Sequence, residues 1–381
     1  MPFQEQSLED ARRKLVRLVQ QDGLSLSEAA RESGVTRPTA YLWLGRAQEE
    51  GPAHLEDRSR RPHTVRAAAP LAVEEAVLGL KQRHPSWGAK KIHARLWPPE
   101  DGSVPRDDAL PEALRVCLRT VDRILDRHGE VTHRPSGTSG ELRYERNASN
   151  ELWQVDGKGV PRRCPYWPLS VLDDHSWFLL GLSALADKRI PTVLSMLWEV
   201  FGEYGLPEAI LTDNGDGFND WQAKGPTRFE AQLWLLGIRT LHGRCRHPQT
   251  QGKVERFHGT LETDLGDRLR PPTREEAEVT YEAYRREYNW ERPHEAIGMK
   301  VPGAVYESSP RKRPKTKPVH ELPGGAMARK VGFNGDIAFK GHTYLVGKGL
   351  RGEYVEIREE ATGHAAYYAS VRIATLQELK L

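Results

Sequence analysis

The apolar residues of this chain change their spacing twice along its length. Up to about residue 130 they recur at helical intervals, as with Leu15, Leu18 and Val19. From residue 151 short apolar runs alternate with helical ones, and from about 327 they alternate by twos between glycine turns. One continuous core does not change period in this way, and 381 residues exceed what a single core needs, so several domains are expected. The segments between the periods are polar: EDRSRRPHTVRAAA at 56–69, VTHRPSGTSGELRYERNASN at 131–150 and SSPRKRPKTKPVHELPGG at 308–325. The expected architecture is multidomain. A helical domain spans 1–55, a second helical domain 70–130, an α/β core 149–305 and a small β-barrel 327–381.

In the first domain, Ser25 begins a helix with Glu28 three residues on, the pattern of a capping box. Gly34 closes that helix, Thr36 caps the next, and Pro38 is tolerated in its first turn. Helix, tight glycine turn, helix is the helix-turn-helix pattern, and its second helix carries Arg37, Thr39 and Arg46 as candidate DNA contacts. In the second domain, HPSWGAKKIHARLW reads as the entry to another helix-turn-helix or winged-helix unit. CLRTVDRILDRHG is its recognition helix, with Val121, Ile124 and Leu125 inward and Arg119 and Arg123 as candidate contacts. The arginines of 56–69 read either as phosphate contacts or as a solvated linker, and Lys312 and Arg313 in the Pro-rich basic linker as candidate DNA contacts.

The core region carries the chemistry. LWQVD is a strand ending in Asp156, EAILTDNG a strand ending in Asp213, and TQGKVERFHGTLETDLG a helix bearing Glu255. Three early strands followed by alternating helices and strands is the mixed α/β order of the ribonuclease H-like fold. Carboxylates gathered at one sheet edge repel one another unless a cation lies between them. An all-oxygen set suits Mg²⁺, and two such ions about 4 Å apart can assist phosphodiester cleavage. Asp173 and Asp174 read as closing a tight turn between two strands, and Asp216 and Asp220 as surface residues. His247 and Pro248 read as shaping the turn before the Glu255 helix, and Trp153, Trp167, Trp177 and Trp198 as core.

Taken together, NELWQVD, VLDDHSWFLLGL, LTDNG, HPQTQGKVERFHGTL and YNWERPHEAIG resemble the catalytic core of insertion-sequence transposases of the DDE group, relatives of retroviral integrases. The resemblance runs from about 149 to 303, and the helical entry and the C-terminal strands also fit. It implies that Asp156, Asp213 and Glu255 are catalytic and hold two Mg²⁺ ions, with Mn²⁺ able to substitute. It places Lys253 and Arg256 near the scissile phosphate, and Asn214, following Asp213, among the DNA-binding residues. It implies cleavage of a DNA element at its terminal inverted repeats, then joining of the freed 3′-OH to target double-stranded DNA. At least a homodimer is expected, because an element has two ends. Tyr288, Asn289, Arg292, Pro293 and His294 match the family's YN-RPH signature and read as packing the last core helix against the sheet. The 41 residues between Asp213 and Glu255 exceed the family pattern, the extra length falling in GFNDWQAKGPT. The His-Cys zinc module of retroviral integrases is absent from the sequence.

Other classes fit less well. A DNA-binding protein without catalysis, or a regulator with a ligand domain, has no use for three carboxylates in these motifs; a nuclease that cuts without joining does. Three cysteines without a CxxC pair argue against a disulfide framework or a cysteine zinc site. The longest apolar run, 177–186, is half what a membrane span needs. With no apolar leader at the start, the expected setting is cytoplasmic and nucleoid-associated in a bacterium, with no membrane partner.

Overall fold

The computed structural model describes residues 8–51, 55–57, 69–130, 146–159, 164–212, 225–242, 252–361 and 363–376. The chain divides into two compact units, 1–68 and 69–381. In the first, α1 (Leu8–Gln20), α2 (Leu26–Glu32) and α3 (Arg37–Glu50) pack around Leu15, Leu18, Ala29, Ala30 and Ala40. Ser25 and Glu28 form the expected capping box, Gly34 takes φ +67°, and Thr36 caps α3 at the backbone N–H of Thr39. Trp43 lies between two guanidinium groups, Arg12 at 3.9 Å and Arg46 at 4.7 Å.

The second unit opens with α4 (Leu71–Arg83), α5 (Ala89–Leu96) and α6 (Leu118–Arg127). Val77, Leu80, Trp87, Ile92, Val121 and Ile124 form their shared core. Buried Lys81 donates to the carbonyls of Pro85 and Trp87, satisfying the bend before α5.

The sheet that follows contains β1 (Trp153–Gly157), β2 (Trp167–Asp173), β3 (Leu179–Leu185), β4 (Ala209–Thr212) and β5 (Arg239–His242). Its order is β3-β2-β1-β4-β5; β2 runs antiparallel to both neighbours, and β1, β4 and β5 are parallel. Helices cover both faces. Trp153, Val155, Leu169 and Val171 pack with α7 (Ile190–Tyr204) and α8 (Arg228–Leu235). Leu172, Leu179 and Leu182 pack with α9 (Gly252–Leu265) and α10 (Arg274–Trp290). Because side chains alternate across a strand, Gln154 and Asp156 face the α9–α10 layer, opposite Trp153 and Val155. This is the mixed α/β core expected from the motif order.

The YN-RPH segment has more than one task. Asn289 binds both backbone groups of Leu179, and Arg292 pairs with Asp264 of α9 at 3.1 Å. The neighbouring Glu287 and Glu295 meet His84 and Lys90, joining the α4–α6 helices to the core.

The C-terminal barrel is a correction. Strands β6 (Met327–Lys330), β9 (Tyr354–Glu360), β10 (Gly363–Tyr368) and β11 (Val371–Leu376) form an antiparallel sheet of order β11-β10-β9-β6. The hairpin of β7 (Asp336–Phe339) and β8 (His342–Leu345) stands as a separate two-stranded sheet. Among the described residues no barrel closes. The apolar face is covered instead by the α/β core: Ala231 of α8 is buried with Val331, Phe339, Leu350 and Val355, flanked by Trp234 and Leu235.

The basic segment before these strands lies against the core. Leu206 donates its N–H to the carbonyl of Arg311 at 2.7 Å, and Ser309 donates its N–H to Tyr204. The Arg311 guanidinium donates to the carbonyls of Pro207, Leu236 and Gly237. Arg313 donates to the carbonyl of Trp198 and stacks over that indole at 4.6 Å; Trp198 is partly buried against the core rather than within it. Among the described residues no helix is long and apolar enough to cross a membrane.

Candidate active site

Asp156 lies at the end of β1, its side chain 17% exposed. Its Oδ1 accepts the N–H of Gly157 at 2.8 Å. Gly157 is required there: a Cβ would fall inside the indole of Trp167, 1.7 Å from a ring carbon. Opposite Asp156 in register is Ser170 of β2, whose hydroxyl donates to the Asp156 carbonyl at 3.0 Å. With that proton committed, Ser170 Oγ accepts from His258 Nε2 at 2.8 Å. The other ring nitrogen, Nδ1, is 3.5 Å from Asp156 Oδ2. Burial, aided by the Lys158 ammonium, pushes the His258 pKa down to about 4, so the ring is neutral near pH 7.

His258 is on α9, one turn after Glu255. Helical spacing places Val254, Phe257, His258 and Leu261 inward and leaves Glu255 and Arg256 exposed. A second link ties the start of α9 to β1: Val254 donates its N–H to Gln154 Oε1 at 3.2 Å. Such an N–H has no partner within its own helix, so an outside acceptor is needed.

The third expected carboxylate, Asp213, lies outside the described residues, as do Asn214, Asp216, Asp220, His247 and Pro248. The residue before Asp213 is described: Thr212 ends β4, pairs with Val155 of β1 and is buried. Beside it in β5, His242 binds Glu230 Oε1 at 2.9 Å. Burial pushes the Glu230 pKa up, but bonds from His242 and Thr227 outweigh it and hold the group below the ordinary carboxylate value.

The remaining sequence candidates fall in different settings. Lys253, 14% exposed, points its ammonium at Asp174, donating to its carbonyl and to Oδ2 at 3.1 Å. Arg37, Arg119, Arg123 and Lys312 are exposed, whereas Arg46 and Arg313 are engaged with tryptophans. The Thr39 hydroxyl is bonded to that of Thr36 at 2.8 Å.

Asp173 closes the β2–β3 turn as read, accepting from Ser176 N, Ser176 Oγ and Asn150 N. Asp174 does not close it, and faces Gln154 and Lys253 instead. Gln154, Ser170 and His258 are contributors that the motifs did not single out. Their signals were present as spacing: Gln154 is two residues before Asp156 on the same strand face, and His258 is one helical turn after Glu255.

Oxygen donors at Asp156 and Glu255 suit Mg²⁺ or Mn²⁺ rather than a sulfur-seeking ion. Among the described residues no three His, Cys, Asp or Glu side chains form a metal-holding cluster.

Comparison with known proteins agrees with this architecture. Residues 236–302 match the integrase core domain, and 326–378 match the C-terminal domain of the IS481 family transposases. Residues 11–63 match a helix-turn-helix domain, and 39–125 a homeodomain-like domain. The Gag-Pol polyprotein of baboon endogenous virus is 27% identical over 233 residues, which is 59% of this chain and 13% of the polyprotein. The Gag-Pro-Pol polyprotein of Mason-Pfizer monkey virus is 31% identical over 118 residues, 30% of this chain and 6% of the polyprotein. The chain thus spans only a small part of these relatives.

Among solved structures, the catalytic core domain of BIV integrase aligns at 23% identity with a TM-score of 0.33, covering 41% of this chain and 93% of that one. The simian T-cell lymphotropic virus intasome in complex with PP2A regulatory subunit B56 gamma aligns at 20% identity with a TM-score of 0.37, covering 67% of this chain and 86% of that one. The resemblance to insertion-sequence transposases with an integrase-type core, drawn from the five motifs, holds.

Proposed function

We propose that this chain is a DNA transposase that cuts the ends of a mobile element and joins the freed 3′-OH to target DNA. Asp156, Asp213 and Glu255 are its catalytic carboxylates. One observation supports this reading above the others: α9 is bonded to the β1–β2 pair on both sides of Glu255. Val254 binds Gln154 of β1, and His258 binds Ser170 of β2 with its ring beside Asp156, while β1 pairs with the strand whose next residue is Asp213. This supports one shared site for the three carboxylates.

These carboxylates would hold Mg²⁺, or Mn²⁺ in its place, two ions per site. Bound there, the ions would supply Lewis acidity and charge neutralisation for phosphodiester displacement. The residues around them fix the donors: Gly157 N–H binds the Asp156 carboxylate, Ser170 holds the Asp156 backbone carbonyl and anchors the neighbouring His258 ring, and Gln154 holds the first turn of α9. No serine or tyrosine nucleophile takes part. Exposed Arg256 next to Glu255, Arg37 on α3, and Arg119 and Arg123 on α6 supply phosphate contacts that position the duplex. The assembly is at least a homodimer, one protomer for each element end.

The test uses the purified full chain, the inverted repeats flanking its gene as labelled duplexes, and Mg²⁺. Expected products are nicks at the element ends and longer strand-transfer species. Nicks without strand transfer would favour a nuclease, and the absence of both products would overturn the reading.

A further inference from the structure

We propose that Asp174 is a positioning residue for this chemistry, fixing the first turn of α9, and Glu255 with it, against the strand that carries Asp156. The inference rests on the catalytic reading of Asp156 and Glu255 given above.

Asp174 is 4% exposed and Gln154 2%. The carboxylate gathers groups from separate parts of the chain. Its Oδ1 accepts from Gln154 Nε2 of β1 at 2.7 Å. Its Oδ2 accepts from Lys253 Nζ of α9 at 3.1 Å and from the backbone N–H of Arg146 at 3.0 Å. The backbone takes part too, since Asp174 N–H donates to the Leu152 carbonyl at 3.0 Å and the Asp174 carbonyl accepts from Lys253. Gln154 uses both ends of its amide: Nε2 on Asp174 and Oε1 on Val254 N–H. Lys253 and Val254, the two residues before Glu255, are thus both tied to the same buried carboxylate, one directly and one through Gln154.

The β2–β3 turn does not need Asp174, because Asp173 already supplies its acceptors. Burying a carboxylate and an ammonium carries a desolvation cost that their attraction need not repay, so such a pair is weak as a source of stability. What it supplies is a fixed length and direction between β1 and α9. Partners bonded directly to a metal ligand typically change metal affinity or activity 10–100-fold when removed; Asp174 acts one link further out, through Lys253 and Gln154, so the lower end of that range applies.

The experiment compares wild type with Asp174→Asn, Asp174→Ala, Gln154→Met and Lys253→Met. Three quantities are read on the full chain: Mn²⁺ binding by electron paramagnetic resonance, the split of kcat and KM for end cleavage, and the thermal midpoint. Asp174→Ala and Gln154→Met are expected to weaken Mn²⁺ binding about tenfold or more and to lower kcat by a similar factor, on the order expected for outer partners. KM for DNA stays within about twofold, and Asp174→Asn falls between Asp174→Ala and wild type. Losses from Asp174→Ala and Lys253→Met are less than additive when combined, since both break one link.

The inference is overturned if wild type binds Mn²⁺ and cuts DNA while the folded variants match it in both, or if only their thermal midpoints fall. Should Asp174→Ala fail to fold, Gln154→Met and Asp174→Asn decide by the same criteria. Wild type that neither binds Mn²⁺ nor cuts would instead bring down the catalytic reading, and this inference with it.

Discussion

Asn289 of α10 binds both backbone groups of Leu179 at the start of β3, its Oδ1 accepting the N–H at 2.8 Å and its Nδ2 donating to the carbonyl at 2.9 Å. Asn289 is buried, so neither backbone group finds water when the amide is removed. Asn289→Ala should cost about 3 kcal/mol, the penalty of leaving two buried groups unpaired. Urea unfolding with the slope unchanged would measure it. A loss under half that size would show that the sheet edge relaxes to satisfy itself.

Removing the carboxylates tests chemistry with little effect on folding. Glu255 is exposed, so Glu255→Gln should leave the thermal midpoint within a degree or two. End cleavage and strand transfer should fall by on the order of a thousandfold, about 4 kcal/mol of barrier. Asp156→Asn should lose activity to a similar extent. Full-rate joining by either variant would be incompatible with the proposed mechanism.

Gly205 takes φ +86°, and a Cβ there would stand 2.8 Å from the carbonyl oxygens of both Ser309 and Arg311. Gly205→Ala should therefore destabilise by about 3 kcal/mol, combining backbone strain with displacement of the 309–313 segment. Tryptophan fluorescence should shift as well, because Arg313 stacks on Trp198. In contrast, Gly259 on α9 has open space around a Cβ, so Gly259→Ala should raise stability by about 1 kcal/mol.

Burial, with Arg292 and Lys91 nearby, holds the His294 pKa well below 6.5. Burial and Lys158 act in the same direction on His258. A histidine whose folded pKa is depressed takes up its proton first in the unfolded chain. Its contribution is complete above about pH 6.5 and is lost as the pH falls below that value. Each group adds a slope of up to about 1.4 kcal/mol per pH unit. His294→Gln should flatten the stability curve between pH 6.5 and 5. An unchanged slope would mean that His294 does not stay neutral in the fold.

The features legible in the sequence are those decided within a few residues. Ser25, Glu28, Gly34 and Thr36 act on the backbone beside them, so the entry helices could be read directly. Asp173 likewise caps the turn it belongs to. Asp174 could not be distinguished from it, because its partners are Gln154 and Lys253, and only the packing of α9 on β1 brings them together. Arg311 and Arg313 read as basic residues of a linker. The carbonyls they satisfy belong to Pro207, Leu236, Gly237 and Trp198, far away in the chain. Alternation in the last fifty residues identifies strands, but whether they close on themselves depends on what else covers their apolar face.

That covering helix, α8, is shared property. Ala231 faces the C-terminal strands, while Phe229 and Leu233 belong to the interior of the α/β sheet. A fragment cut at the proline-rich stretch would leave raw apolar surface on both pieces and would tend to aggregate. The two parts therefore depend on one another for their packing, and grafting the C-terminal part onto another scaffold would require its helix to travel with it.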